Sequence, residues 1–158
     1  ELFIAVVDKF WFSTQNPRNK STETNGTFAE FIDEYVRGVQ RTMDMLGDLI
    51  GAEREKVAQG KFTYHAQYFH FLFQLLQYDP DAKEKLRNLV DGDYAYWRAA
   101  IQRAIATGEL REDVDVEDAV VMFRQVYMGL SFEMAFMGGL NTQRLAKHLH
   151  AVYSLLKR

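Results

Sequence analysis

The side chains in this sequence that could do chemistry are few and poorly spaced for it. His65 and His70 stand five apart, and His148 and His150 stand two apart. Two ligands on one helical face need a spacing of three or four residues. Neither HExxH nor a Glu-x-x-His pair is present, and cysteine is absent, so the usual zinc and di-metal patterns are missing. Ser13, Ser21, Ser131 and Ser154 sit in no nucleophile-elbow context. The glycines form no phosphate-binding loop, and Gly138-Gly139 reads as a helix stop. The carboxylates gather at turns and helix starts, where capping accounts for them. No metal site, no cofactor and no catalytic residue is predicted.

What the residues do offer is binding chemistry. Twelve Phe, eight Tyr and two Trp concentrate on a few apolar segments. Such rings can fill a core, or they can line an apolar cavity with a few polar tips. The candidate ligand-lining residues fall on four segments. They are Tyr35, Val39 and Met43; His65, Phe69 and Phe73; Trp97 and Ile101; and Phe123 and Tyr127. The hydroxyls of Tyr35, Tyr68 and Tyr127, with His65 and Arg124, could orient a ligand or satisfy one another.

The elements that must position these groups are helices. Leu2 and Val6, and Phe3, Val7 and Phe10, already fall at helical spacing, with no capping residue before them. The polar stretch 16–26 is a loop. Thr27 then caps a long amphipathic helix, with Glu30 in capping-box position, ending near Gly51. Residues 63–78 form a helix apolar on most sides, stopped at Asp79-Pro80. One helix follows from about Asp81 to Thr107, weakened at Asp91-Gly92-Asp93, with Gly108 as its stop. Asp115 caps the penultimate helix and Asn141 the last. The fold class is therefore all-α, with about six helices in one domain spanning residues 1–158. A net charge of −3 is not that of a basic nucleic-acid binder. No apolar run approaches a membrane span, and a cysteine-free chain suits the reducing cytoplasm.

The penultimate helix is apolar around its whole circumference, from Val120 to Met137, apart from Glu133 and a few other polar positions. One small domain rarely covers a helix on every side, so a second copy of the chain is the expected cover. The expected seam runs through residues 116–138 and 141–157. Val120, Met128, Ser131, Phe132 and Ala135 come from the penultimate helix, and Leu145, Leu149, Val152 and Leu156 from the last. Ser131 and Ala135, four apart, would let two helices approach closely.

GELREDVDVEDAVVMFRQVYMGL resembles the C-terminal domain of the TetR family of bacterial transcription regulators. Gly108, Leu110, Arg111, Asp113, Asp115, Ala119 and Gly129 fit the family pattern. ELFIAVVDKF looks like the helix that follows the family's DNA-binding module, and FLFQLLQYDPDAKEKL like the middle helices of some members. The resemblance implies an effector-binding and dimerisation domain, with the last two helices pairing in a dimeric four-helix bundle. It also implies a small, largely apolar effector among the middle helices, and DNA contact only through an N-terminal helix-turn-helix head absent from these residues. Residues 1–15 would be the remnant of the connecting helix. Most members are repressors that release DNA on binding their ligand. A helical structural or partner-binding module without ligand and a small helical enzyme are the alternatives.

Overall fold

The computed structural model describes residues 26–50 and 64–158. These residues form five helices and no strand: α1 (Phe28–Ile50), α2 (Tyr64–Tyr78), α3 (Ala82–Ala106), α4 (Val116–Met137) and α5 (Thr142–Leu156). The all-α fold is as expected. The count is one lower than expected, because the helix anticipated over residues 1–15 lies outside the described residues.

Local bonds define the helix ends. Thr27 Oγ1 accepts from the Glu30 N–H at 3.2 Å, while the Thr27 N–H donates to Glu30 Oε2 at 2.8 Å. The capping box is thus closed in both directions. Asp115 accepts from the Asp118 N–H, and Asn141 from the Arg144 N–H, each at 2.9 Å. Gly108 and Gly138 adopt φ of 75° and 127° just past α3 and α4, where a side chain would be strained. α3 runs unbroken through Gly92. The glycine lowers helix propensity there, but packing on both sides outweighs about 1 kcal/mol.

α1 packs on α5, α2 on α4, α3 on α4, and α4 on α5. At their centre Trp97 stacks on Phe123 with centroids 4.8 Å apart and planes at 11°. Phe28 meets Phe123 edge-on at 5.3 Å, and Phe31 meets Trp97 edge-on at 5.0 Å. Leu110, Leu145 and Leu149 close this core from the turn before α4 and from α5. A second, smaller cluster forms around Leu75 and Ala82, with Tyr68, Phe71 and Leu72 against it.

The turn between α3 and α4 is a structural clasp. The Glu109 carboxylate accepts from the Phe28 N–H at 2.8 Å and from the Tyr153 hydroxyl at 2.8 Å. A carboxylate at a helix N-terminus answers both the unpaired amides and the positive end of the dipole. Arg111 donates to the Leu155 carbonyl at 2.6 Å, and its own N–H bonds the Leu156 carbonyl. The Gly-Glu-Leu-Arg stretch therefore ties α1, α3 and α5 together.

The rotation of α4 and α5 sets which of the expected seam residues are exposed in one subunit. Val120, Leu145 and Leu149 are fully enclosed by their own subunit, so they have no surface to offer a second copy. Ser131 and Ala135 are also buried; they lie on the inward side of α4. Met128, Val152 and Leu156 are half-buried, and Phe132 is exposed. The outward face of α4 instead carries Met122, Phe132, Phe136 and Met137, the last two 72% and 73% exposed. Glu133 stands on this wet side, which removes the cost of burying its charge.

Candidate functional site

A charged pair lies inside this aromatic frame. Arg124 Nη1 is 2.7 Å from Asp93 Oδ2, and both side chains are buried. α4 supplies the arginine and α3 the aspartate. Asp93 sits one turn before Trp97, on the face of α3 that α1 and α4 cover. From α1, the Tyr35 hydroxyl donates to the same Asp93 oxygen at 3.3 Å. The Arg124 guanidinium lies over two rings, 5.6 Å from the Tyr94 centroid and 5.9 Å from that of Tyr127. Tyr35 and Tyr127 meet edge-on at 5.9 Å. The result is a cation wrapped in tyrosines and neutralised by one carboxylate.

Burial and neighbouring charge shift Tyr35, Tyr68 and Arg124. Burial pushes the Tyr35 hydroxyl well above its ordinary range, and neighbouring Asp93 adds to the shift. Burial does the same for Tyr68, with Tyr127 contributing next. For Arg124 burial works against the charge, but Asp93 and the tyrosine oxygens outweigh it and hold the guanidinium protonated. Tyr35 and Tyr68 are therefore neutral hydroxyls near a permanent cation.

Of the predicted lining residues, the structure brings Tyr35, Trp97 and Tyr127 into this nest. Trp97 lies 4.8 Å from Tyr35. Phe123 stacks on Trp97, and Ile101 and Val39 belong to the same main core. Met43 packs half-buried at its edge. Phe69 is half-buried between α2 and α4, where it meets Phe132 edge-on at 5.3 Å. Phe73 is turned outward, 63% exposed. On α2 the inward positions are those of Tyr68 and Leu75, and Phe73 falls on the other side. The side chain of His65 lies outside the described residues.

Asp93 is the residue that sequence reading missed. The sequence pattern places it at a weak point in the helix, beside Gly92. Its spacing carried the signal: it lies four residues before Trp97 and seven after Leu86, on the apolar stripe. A carboxylate on such a stripe needs a buried cation, and among the described residues Arg124 is the buried one.

Residues 39–149, well over half of the chain, match the family described as tetracyclin repressor-like, C-terminal domain. The chain belongs to that family. No curated protein and no solved structure matches it. All five helices of this repressor-like domain contribute to the match, α1 and α5 in part. The Arg124–Asp93 pair falls within it, as does the clasp from Gly108 to Arg111. Among the described residues no helix is long and apolar enough to cross a membrane.

Proposed function

We propose that this repressor-like domain is the sensing and pairing half of a cytoplasmic, non-enzymatic transcription regulator. It binds a small, largely apolar effector between α2 and the α3–α4 pair, and it forms a two-fold homodimer. DNA is contacted by a helix-turn-helix head outside these residues. The observation that carries the reading is the buried Arg124–Asp93 pair in its ring of tyrosines. A purely structural core gains little from a buried ion pair over apolar packing. A sensing site needs a few polar groups held rigidly in an apolar surround.

The sensing claim is tested by thermal-shift screening with apolar and aromatic compounds. A ligand at a hundred times its dissociation constant should add ~2.7 kcal/mol of stability. A library that never moves the melting temperature, with a partner protein captured in its place, favours the helical partner-binding module.

For pairing, we infer that the outward face of α4 and the adjoining edge of α5 meet their symmetry mates. Phe132, Phe136 and Leu155 stand exposed there, with Met128 and Val152 half-buried beside them. Gly129 supports this face. It lies exposed in the middle of α4, with no atom within 4 Å of where a Cβ would stand. A mid-helix glycine costs about 1 kcal/mol against alanine, and close approach of a second helix gives it a use.

A further inference from the structure

The tyrosine nest lies at a boundary inside the subunit. On one side is the large core with Trp97 and Phe123; on the other is the small cluster of Leu75 and Ala82, on which Tyr68 packs. Arg124, Tyr127 and Ser131 follow the inward face of α4 at positions i, i+3 and i+7. Two of their polar atoms, Arg124 Nε and Ser131 Oγ, are buried and have no hydrogen-bond partner among the described residues. Buried donors left unmade are costly, and a charged one most of all. They are places where a ligand gains by supplying an acceptor.

The charge balance narrows what that acceptor is. Arg124 is already neutralised by Asp93 at 2.7 Å. The nearby Tyr35 and Tyr68 hydroxyls are held neutral by burial, so they bring no compensating charge. A carboxylate ligand would leave the nest with a net negative charge, and an ammonium ligand with a net positive one. Either is expensive in a site closed to water. An uncharged oxygen satisfies Arg124 Nε and leaves the balance intact. Ser131, seven residues along, lies roughly 10 Å further down the helix.

We propose, resting on the ligand-sensing reading above, that the effector is an uncharged, elongated, mainly apolar molecule. Its carbonyl or amide oxygen accepts from Arg124 Nε. Its chain runs along α4 between the two apolar clusters, past Tyr127 to Ser131. α2, which closes this side, is the helix that shifts to admit it.

The test is calorimetric titration of the intact chain with a matched series: a primary fatty amide, the fatty acid and the fatty amine of the same chain. The amide should bind about tenfold more tightly than either, a difference of ~1.4 kcal/mol. Arg124→Lys keeps a cation beside Asp93 and removes the Nε donor, so it should erase the amide's advantage. Ser131→Ala changes little volume and serves if the lysine variant does not fold. An ω-hydroxyl on the amide should tighten binding to the wild type, and Ser131→Ala should abolish that gain. Equal affinities across the series, or a preference for the acid or amine, overturn the uncharged head while sensing stands. If no member binds but the broad thermal-shift screen yields a ligand, the head-group assignment falls alone. Silence in both removes the sensing reading with it.

Discussion

Arg124 holds a positive charge inside the core. Its guanidinium is buried, paired with Asp93 and faced by two tyrosine rings. Arg124→Met would leave the Asp93 carboxylate without its cation in a dry core. Breaking a buried pair from one side costs ~3–5 kcal/mol, and urea unfolding followed by circular dichroism should show a loss of that order. The double change Asp93→Asn with Arg124→Met should recover much of it, since neither charge is then stranded. A single-variant loss below about 1 kcal/mol would mean that the pair contributes little to the fold. Tyr153 gives a second prediction at this scale. Burial, and then its hydrogen bond to Glu109, push its hydroxyl up to about 12 from an ordinary 10.0. A raised folded-state value stabilises while the group is neutral. That contribution is complete below about pH 10 and is lost as pH rises through about 12. Melting temperature should therefore fall more steeply across this alkaline window in the wild type than in Tyr153→Phe. Parallel curves would show that the Glu109 bond does not carry it.

Two faces make α4 what it is. Its inward side carries Val120, Phe123, Arg124 and Ser131 against the other helices of the subunit. Its outward side carries Met122, Phe132, Phe136 and Met137. Gly129 sits on the outward side in open space. Gly129→Ala should stabilise the isolated subunit by roughly 1 kcal/mol through helix propensity alone. In the dimer the added methyl would stand where a second helix approaches. The variant should thus unfold at higher denaturant concentration as a monomer, yet dissociate at higher protein concentration than the wild type. A gain in both stability and pairing would take Gly129 out of the seam. The clasp at Gly108–Arg111 explains why the signature stretch of the sequence has the residues it has. Gly108 takes a positive φ, Leu110 is fully buried, Glu109 caps α1, and Arg111 caps the end of α5.

Among the described residues, aromatic rings gather on the exposed side of α4. Phe132 and Phe136 meet edge-on at 5.1 Å on the outer face, and Phe69 joins them from α2. Contiguous patches of this kind mark association surfaces. Phe136→Glu changes a side chain that is 72% exposed, so the subunit should keep its fold. Light scattering at micromolar concentration should show a dimer for the wild type and a shift toward monomer for the variant. A wild type that stays monomeric would end the pairing proposal. A charge at Leu149 tests something else, because that residue is enclosed by its own subunit and its loss reads out as unfolding.

The sequence by itself determined where most helices of this domain begin and end. Thr27 with Glu30, Asp115, Asn141, Gly108 and Gly138 act through bonds between near neighbours or through their own φ. Such signals need no tertiary partner, so they survive in a linear reading. The family resemblance was legible for a similar reason, since its pattern is concentrated in the clasp and the cap that follows it. Tertiary structure alone decided which way α4 and α5 face. An amphipathic helix such as α1 announces its inner side by its period, but α4 is apolar all round, and its period selects no side. That is why the linear pattern places Ser131, Ala135 and Leu149 in a seam, whereas in the subunit they lie inside and Phe136 lies outside. The partnership of Asp93 with Arg124 was hidden on the same ground. The two are 31 positions apart in the sequence, and only the packing of α3 on α4 brings opposite charges to 2.7 Å in a dry interior.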